Sequence, residues 1–325
     1  MDNCLSAKRQ IDSIDVLKYI LSVLIIAYHT SIFADIDYNA SRIIRLFTNT
    51  ATGSFFVISG YLLGIRSFSH TEQAERLSVV LKSAKRLILL WAVWELIYTP
   101  FILYKTRTGA SLSGILVSDY LLGSYAHLWY LKASAIAVIM VWVAKKAGFS
   151  NRLLAALACL LYLIGAYMLS IEHNTAYRNG FFFSFPYYIL GMLLAEKQDL
   201  ISRSPVGKLL VCCAAAIAVY IAENCFIWTG QSSFTMPFVC AAILVVFLRF
   251  RIDLSADKAK LFRNISTLNY TIHYGIYSIL SHFNRSGAIA VNSVELFCTT
   301  LLITTALAFL VITGQRKLAF LRILY

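Results

Sequence analysis

The sequence predicts an all-α integral membrane protein, a bundle of about ten transmembrane helices with an internal polar cavity. Three observations carry this expectation. Of 325 residues, 59% are hydrophobic and only 14% charged, against roughly 45–50% and 25% in soluble domains, so polar side chains are too few to coat a globule of this size. Ten apolar runs, each bounded by charged or turn residues, follow one another along the chain, and most are long enough to cross a bilayer as helices. The basic residues lie between these runs.

In order, the runs are Ile14 to Phe33, Leu46 to Ile65, Leu87 to Leu103, Leu121 to Val143, Leu153 to Ile171, Phe181 to Ala195, Leu209 to Ile227, Phe234 to Leu248, Ile265 to Phe283 and Ala288 to Ile312. No small-residue cleavage site follows the first, which therefore reads as a retained signal anchor rather than a removed signal peptide. The sixth and eighth are short. They are read as tilted neighbours of a thinned region or as extending past these limits. The connections are also short, so residues 1–325 read as a single membrane-embedded domain.

The net charge of +13 comes from 29 Lys and Arg against 16 Asp and Glu. With the amino terminus placed in the cytoplasm, the inner segments hold 22 of the 29, including Lys8, Arg9, Lys82, Lys85, Arg86, Lys145, Lys146, Arg251 and Arg316. The outer segments hold six, Arg42, Arg45, Lys105, Arg107, Arg178 and Arg285, and Lys132 falls inside a run. This asymmetry follows the positive-inside rule and predicts that both termini are cytoplasmic. Lys and Arg beside anionic head groups contribute about 1 kcal/mol each, so membrane lipid explains the basicity and no nucleic-acid partner is needed. The seven cysteines form no CxxC pair and no His/Cys metal spacing; they read as small buried side chains, and no metal is expected.

Ionisable groups inside a span cost roughly 2.5–3.5 kcal/mol at a helix centre, so each needs a reason. In the first run, Lys18 and His29 are 11 residues apart, about three turns plus 20°, which sets both on one stripe about 16 Å apart along the axis. Histidine, with an ordinary pKa of about 6.5, is well suited to take a proton from a hydroxyl near neutral pH. The plainer reading, an imidazole bonded to a neighbouring helix, is weighed down by the aligned cation. In the second run Gly60 and Gly64 form a GxxxG pattern for close helix approach, with Ser59 offering a hydroxyl at the crossing. Lys82, Lys85 and Arg86 occupy i, i+3 and i+4, a basic stripe at the predicted inner border. Lipid anchoring explains such a stripe, and so do the phosphates of a nucleotide donor. Glu95, His127, Lys132, Glu223 and His273 are further costly groups, too many for a passive bundle, and predict a polar cavity lined by some of them. Spacing alone does not say which of them meet.

These residues sit in stretches that resemble the acyltransferase-3 family of multi-pass membrane O-acyltransferases. The stretches are IDSIDVLKYILSVLIIAYH, FFVISGYLL, KSAKR leading into LWAVWELIYTP, HLWYL and ISTLNYTIHYG, in family order over most of the chain. The last looks especially like the membrane domains of vancomycin-resistance serine racemases, without the racemase part.

The resemblance implies an O-acyltransferase (acetyltransferase) of the bacterial cytoplasmic membrane. It implies acyl-coenzyme A, usually acetyl, as donor substrate with no permanently bound cofactor, and a hydroxyl of a surface or lipid-linked glycan as acceptor. By residue, it implies His29 as the essential histidine and Lys18 where the family usually has Arg. Lys keeps the charge and loses the bidentate fork. Ser59 and Gly60 match the second motif, Lys82, Lys85 and Arg86 the basic motif, His127, Trp129 and Tyr130 the tryptophan motif, and His273 the last. Lys18, Lys82, Lys85 and Arg86 are then donor-binding candidates, and Ser59, Glu95, His127, Trp129, Tyr130 and His273 cavity or acceptor candidates. Outer aromatics such as Tyr38, Tyr125, Tyr177 and Trp228 could stack on sugars, although interfacial anchoring is their commoner use. The alternatives are a secondary transporter of a small solute such as an amino acid, for which four prolines supply no matched pair of broken helices, and a catalytically silent sensor or scaffold.

Overall fold

The computed structural model describes residues 2–104, 111, 113, 126–226, 233–249, 252–315 and 317–325, with side chains from residue 12 onward except that of residue 126. Lys105, Arg107, Tyr125, Trp228, Arg251, Arg316, the start of the fourth apolar run and the end of the seventh lie outside the described residues, as do the side chains of Lys8 and Arg9. Among the described residues the chain is helical, with no strand. The helices are α1 Asp2–Thr30, α2 Tyr38–Phe68, α3 Gln73–Tyr104, α4 Trp129–Lys146, α5 Asn151–Ser170, α6 Phe185–Glu196, α7 Gln198–Arg203, α8 Val206–Phe226, α9 Met236–Arg249, α10 Ala256–Arg285 and α11 Ser293–Gly314. A π-helical turn, Gly180–Ser184, leads into α6.

Five of these helical stretches are long and apolar enough to cross a membrane: Asp12–Thr30, α3, α5, α8 and α11. Two shorter ones, Gly180–Glu196 and α9, are apolar but below that length. Helices α2, α4 and α10 have the length, yet they carry charged or polar groups such as Arg42, Arg45, Lys132, Asn269 and His273 that dilute their hydropathy.

The chain divides into two compact units, one of Met1–Leu17, Asn49–Arg86 and Ala133–Ala259, the other of Lys18–Thr48, Leu87–Lys132 and Lys260–Tyr325. The first is built on a backbone-to-backbone crossing of α2 and α6. A Cβ on Gly60 would stand 2.2 Å from the Tyr188 carbonyl oxygen, and one on Gly191 2.1 Å from that of Val57. Only glycine fits at either position, which is the use of GxxxG-type packing. In the same unit the Glu223 carboxylate of α8 accepts the backbone N–H groups of Phe234, at 2.6 Å, and Thr235, at 2.9 Å, and the hydroxyls of Ser233 and Thr235. Residues 233–235 lead into α9, so this costly acid satisfies donors at a helix start that would otherwise be unpaired.

In the second unit the contacts fix helix directions. Tyr19 meets Phe262, the Ser266 hydroxyl donates to the Lys18 carbonyl at 2.9 Å, and His29 meets His273, so α1 and α10 run the same way. Tyr98 lies on Gly275, while Phe101 and Tyr104 share a groove with Ile279 and His282, so α3 runs with them. Helix α4 runs back: His127 lies by His273 and Tyr130 by Tyr270. At the far end of α1, both Asp35 carboxylate oxygens accept the Ser293 N–H, at 3.0 and 3.1 Å, and one also accepts its hydroxyl, which starts α11 in the return direction. The first, third and ninth apolar runs thus point one way and the fourth and tenth the other.

Candidate active site

His29 is the penultimate residue of α1, just before a left-handed turn. Ile32 N–H bonds the Ala27 carbonyl and Ser31 N–H that of Tyr28, both at 3.3 Å, with Ser31 at φ 50°. This is the Schellman pattern with serine where glycine is usual. It stops the helix just past the imidazole, which is half-buried. Lys18, also half-buried, lies three turns earlier on the same unbroken helix.

Beside His29 are two fully buried imidazoles. The His29 and His273 ring centroids are 5.2 Å apart and those of His127 and His273 4.9 Å. Tyr274 is edge-on to His29 at 5.1 Å and stacked with His127 at 5.3 Å. His273 Nδ1 lies 2.9 Å from the Asn269 carbonyl, and His127 Nε2 lies 3.1 Å from the Thr271 carbonyl. A carbonyl only accepts, so these nitrogens carry the hydrogens. The other nitrogens, His273 Nε2 and His127 Nδ1, are buried with no hydrogen-bond partner. Two imidazoles therefore reserve a basic lone pair in a site where polar groups are normally satisfied. Asn269, fully buried one turn before His273, also leaves both side-chain polar atoms unpartnered.

Tyr98 organises the surrounding backbone. Its hydroxyl donates to the Thr271 carbonyl at 2.8 Å and accepts the Gly275 N–H at 3.1 Å, bridging the two groups that an α-helix pairs. A Cβ at residue 275 would stand 3.1 Å from that hydroxyl, so glycine admits the tyrosine. The Thr271 carbonyl is the one that holds His127, so Tyr98 and His127 share an acceptor. Neither Tyr98 nor Gly275 stands out in the sequence. The available signal is that Trp91, Glu95 and Tyr98 fall on one helical face.

The remaining candidates are divided between the units. In the second, Trp129 and Tyr130 are half-buried at the start of α4, with Tyr130 on Tyr270 at 5.2 Å. Glu95 is buried and accepts the Trp91 indole N–H at 3.0 Å, and Lys132 lies over the Trp91 ring at 5.5 Å. Beyond the imidazoles, a groove of about 550 Å³ opens between α3 and α10, walled by Pro100, Phe101, Tyr104 and Ile279 and edged by His282 and Arg285. In the first unit, Ser59 is half-buried beside the Gly60 crossing, and Lys82, Lys85 and Arg86 are exposed on α3.

Apolar helices of membrane-crossing length and a buried cluster of imidazoles define a multi-pass membrane protein with a polar interior site. The chain belongs to the acyltransferase-3 family: the family profile, described as an acyltransferase domain, matches residues 11–313. Among curated proteins it is 28% identical over 208 residues to an amino-acid racemase of Enterococcus faecalis, covering 57% of this chain and 28% of the racemase. To a second amino-acid racemase of that organism it is 24% identical over an alignment of 346 residues, covering 96% of this chain and 47% of the relative. The chain thus spans about half or less of the length of these relatives. No solved structure matches it.

Proposed function

We propose that this protein moves an acetyl or other short acyl group from acyl-coenzyme A at the cytoplasmic face to a hydroxyl of a surface or lipid-linked glycan, with His29 as general base or transient acyl carrier. The observation that carries this reading is the position of His29: half-buried at the end of α1, flanked by buried imidazoles, and joined by one helix to a cation. Family membership favours acyl transfer over solute transport.

The alternating helix directions in the second unit are those expected of a chain that makes about ten spans, and the charge asymmetry favours cytoplasmic termini; the membrane proposed is a bacterial inner membrane. On that topology Lys18 lies toward the inner face. It would attract a donor phosphate, and the exposed stripe of Lys82, Lys85 and Arg86 offers further cations of the kind such a donor needs. The long pantetheine arm would carry the thioester to His29. His29 takes the acceptor's proton, the acceptor oxygen bonds the thioester carbon, the carbon–sulfur bond breaks, and the thiolate leaves and is protonated to the free thiol. In the two-step version the imidazole bears the acyl group before the hydroxyl does. Either way, an imidazolium at His29 would sit at the negative end of the α1 dipole, worth about 0.3–1 kcal/mol. The α3–α10 groove is of a volume suited to a small organic group, and its aromatic walls would suit a sugar.

The test is transfer of labelled acetyl from acetyl-coenzyme A by membranes containing the protein, with mass spectrometry of the glycan fraction. Label in a glycan only when the protein is present is expected. Ion-driven solute uptake with no dependence on acetyl-coenzyme A would overturn the proposal.

A further inference from the structure

We propose that His273 is a positioning residue for His29, a second base that receives the proton from the far nitrogen of the first-helix imidazole during transfer. The inference rests on the acyl-transfer reading and deepens it. Three observations converge. The rings of His29 and His273 are 5.2 Å apart, centroid to centroid, close enough for one water or a small rotation of the half-buried His29 ring to join their nitrogens. The Nδ1–H of His273 is committed to the Asn269 carbonyl at 2.9 Å, so only Nε2 is left to accept. That nitrogen is fully buried and has no hydrogen-bond partner.

A buried base with one nitrogen tied to the backbone and the other open is the arrangement by which a second group orients a catalytic imidazole. The His29 nitrogen facing His273 carries the hydrogen, and the opposite nitrogen therefore keeps its lone pair for the substrate hydroxyl. As the hydroxyl oxygen bonds the thioester carbon, its proton passes to that lone pair and the proton on the far nitrogen passes to His273 Nε2. His273 becomes an imidazolium held by the Asn269 carbonyl. When the carbon–sulfur bond breaks, the protons step back through His29 to the thiolate, and both imidazoles end neutral. The titratable groups facing His273 are His29 from α1, His127 from the turn before α4, and Tyr270 and Tyr274 of its own helix. Tyr98 of α3 faces His127. Among the described residues, none of these neighbours is a carboxylate.

The full chain is assayed in membranes with labelled acetyl-coenzyme A as wild type, His29→Ala, His273→Gln and His273→Ala. Glutamine keeps polar atoms but cannot hold the relayed proton. His273→Gln is expected to lower kcat about 100-fold, to leave KM for acetyl-coenzyme A within about twofold, and to remove one ionisation from the pH–rate profile. His273→Ala should regain rate when imidazole is added, at an unchanged protein level, which a merely structural role would not produce. A His273→Gln enzyme with near wild-type kcat overturns the relay. So does a loss with an unaltered pH profile and no recovery of His273→Ala by imidazole. Absence of transfer by the wild type would instead sink the acyl-transfer reading, and the relay with it.

Discussion

Gly275→Ala is expected to be opposed by Tyr98 and welcomed once that residue is phenylalanine. The added methyl would stand 3.1 Å from the Tyr98 hydroxyl and 3.3 Å from its ring Cε1. To make room, the hydroxyl must withdraw from the Thr271 carbonyl at 2.8 Å and the Gly275 N–H at 3.1 Å. Each bond has a net worth of about 0.5–1.5 kcal/mol, so the withdrawal costs about 1–3 kcal/mol. Against this, alanine is better than glycine inside a helix by about 1 kcal/mol. In the wild type the two effects leave a loss of up to about 2 kcal/mol. With Tyr98→Phe in place the bonds are already gone, and the same substitution should stabilise by about 0.5–1 kcal/mol. The difference is a coupling energy that a double-mutant cycle measures directly, by denaturant unfolding of the four proteins in detergent. Equal effects of Gly275→Ala in the two backgrounds would refute the bridging role of the Tyr98 hydroxyl.

Gly60→Ala should cost at least about 1–3 kcal/mol through overpacking, because the methyl meets the Tyr188 backbone rather than a movable side chain; detergent-resistant folding and protein yield are the readouts. Ser31→Gly should stabilise by about 0.5–1 kcal/mol, since serine is strained in the left-handed region and glycine is not, and thermal unfolding checks the sign. The Ser293 hydroxyl holds the Asp35 carboxyl below its ordinary value of 3.8. Its folded pKa is therefore below its unfolded one, and the stability it contributes is present above that ordinary value and lost as pH falls through the lower folded value. Asp35→Asn should accordingly melt below the wild type at pH 6, with the gap closing as the medium becomes strongly acidic. A gap independent of pH would show that the carboxylate's charge contributes nothing.

Helix positions were legible because membrane spans announce themselves by apolar runs, and the runs at Ile14 to Phe33 or Ala288 to Ile312 reappear in α1 and α11. The Gly60 and Gly64 pattern predicted a close crossing; its partner Gly191 could not be named, because a small residue on α6 shows no periodicity of its own. Glu223 was legible only as a costly group. It caps the start of α9, a local duty invisible without the turn that brings residues 233–235 back to α8. The spacing of Lys18 and His29 is a property of one helix and survives intact. The meeting of His29 with His127 and His273 is a property of three helices whose order in space no single sequence encodes. Helix α10 illustrates the conflict: its buried polar groups Asn269, Thr271 and His273 lower the hydropathy by which a span is recognised.

Single-turnover transfer of labelled acetyl from acetyl-coenzyme A, compared between wild type and His29→Gln at equal protein level, bears most directly on the proposed chemistry. Loss of about 100-fold or more in the transfer rate is predicted, with binding of acetyl-coenzyme A retained. A glutamine variant that transfers acetyl at the wild-type rate would contradict it.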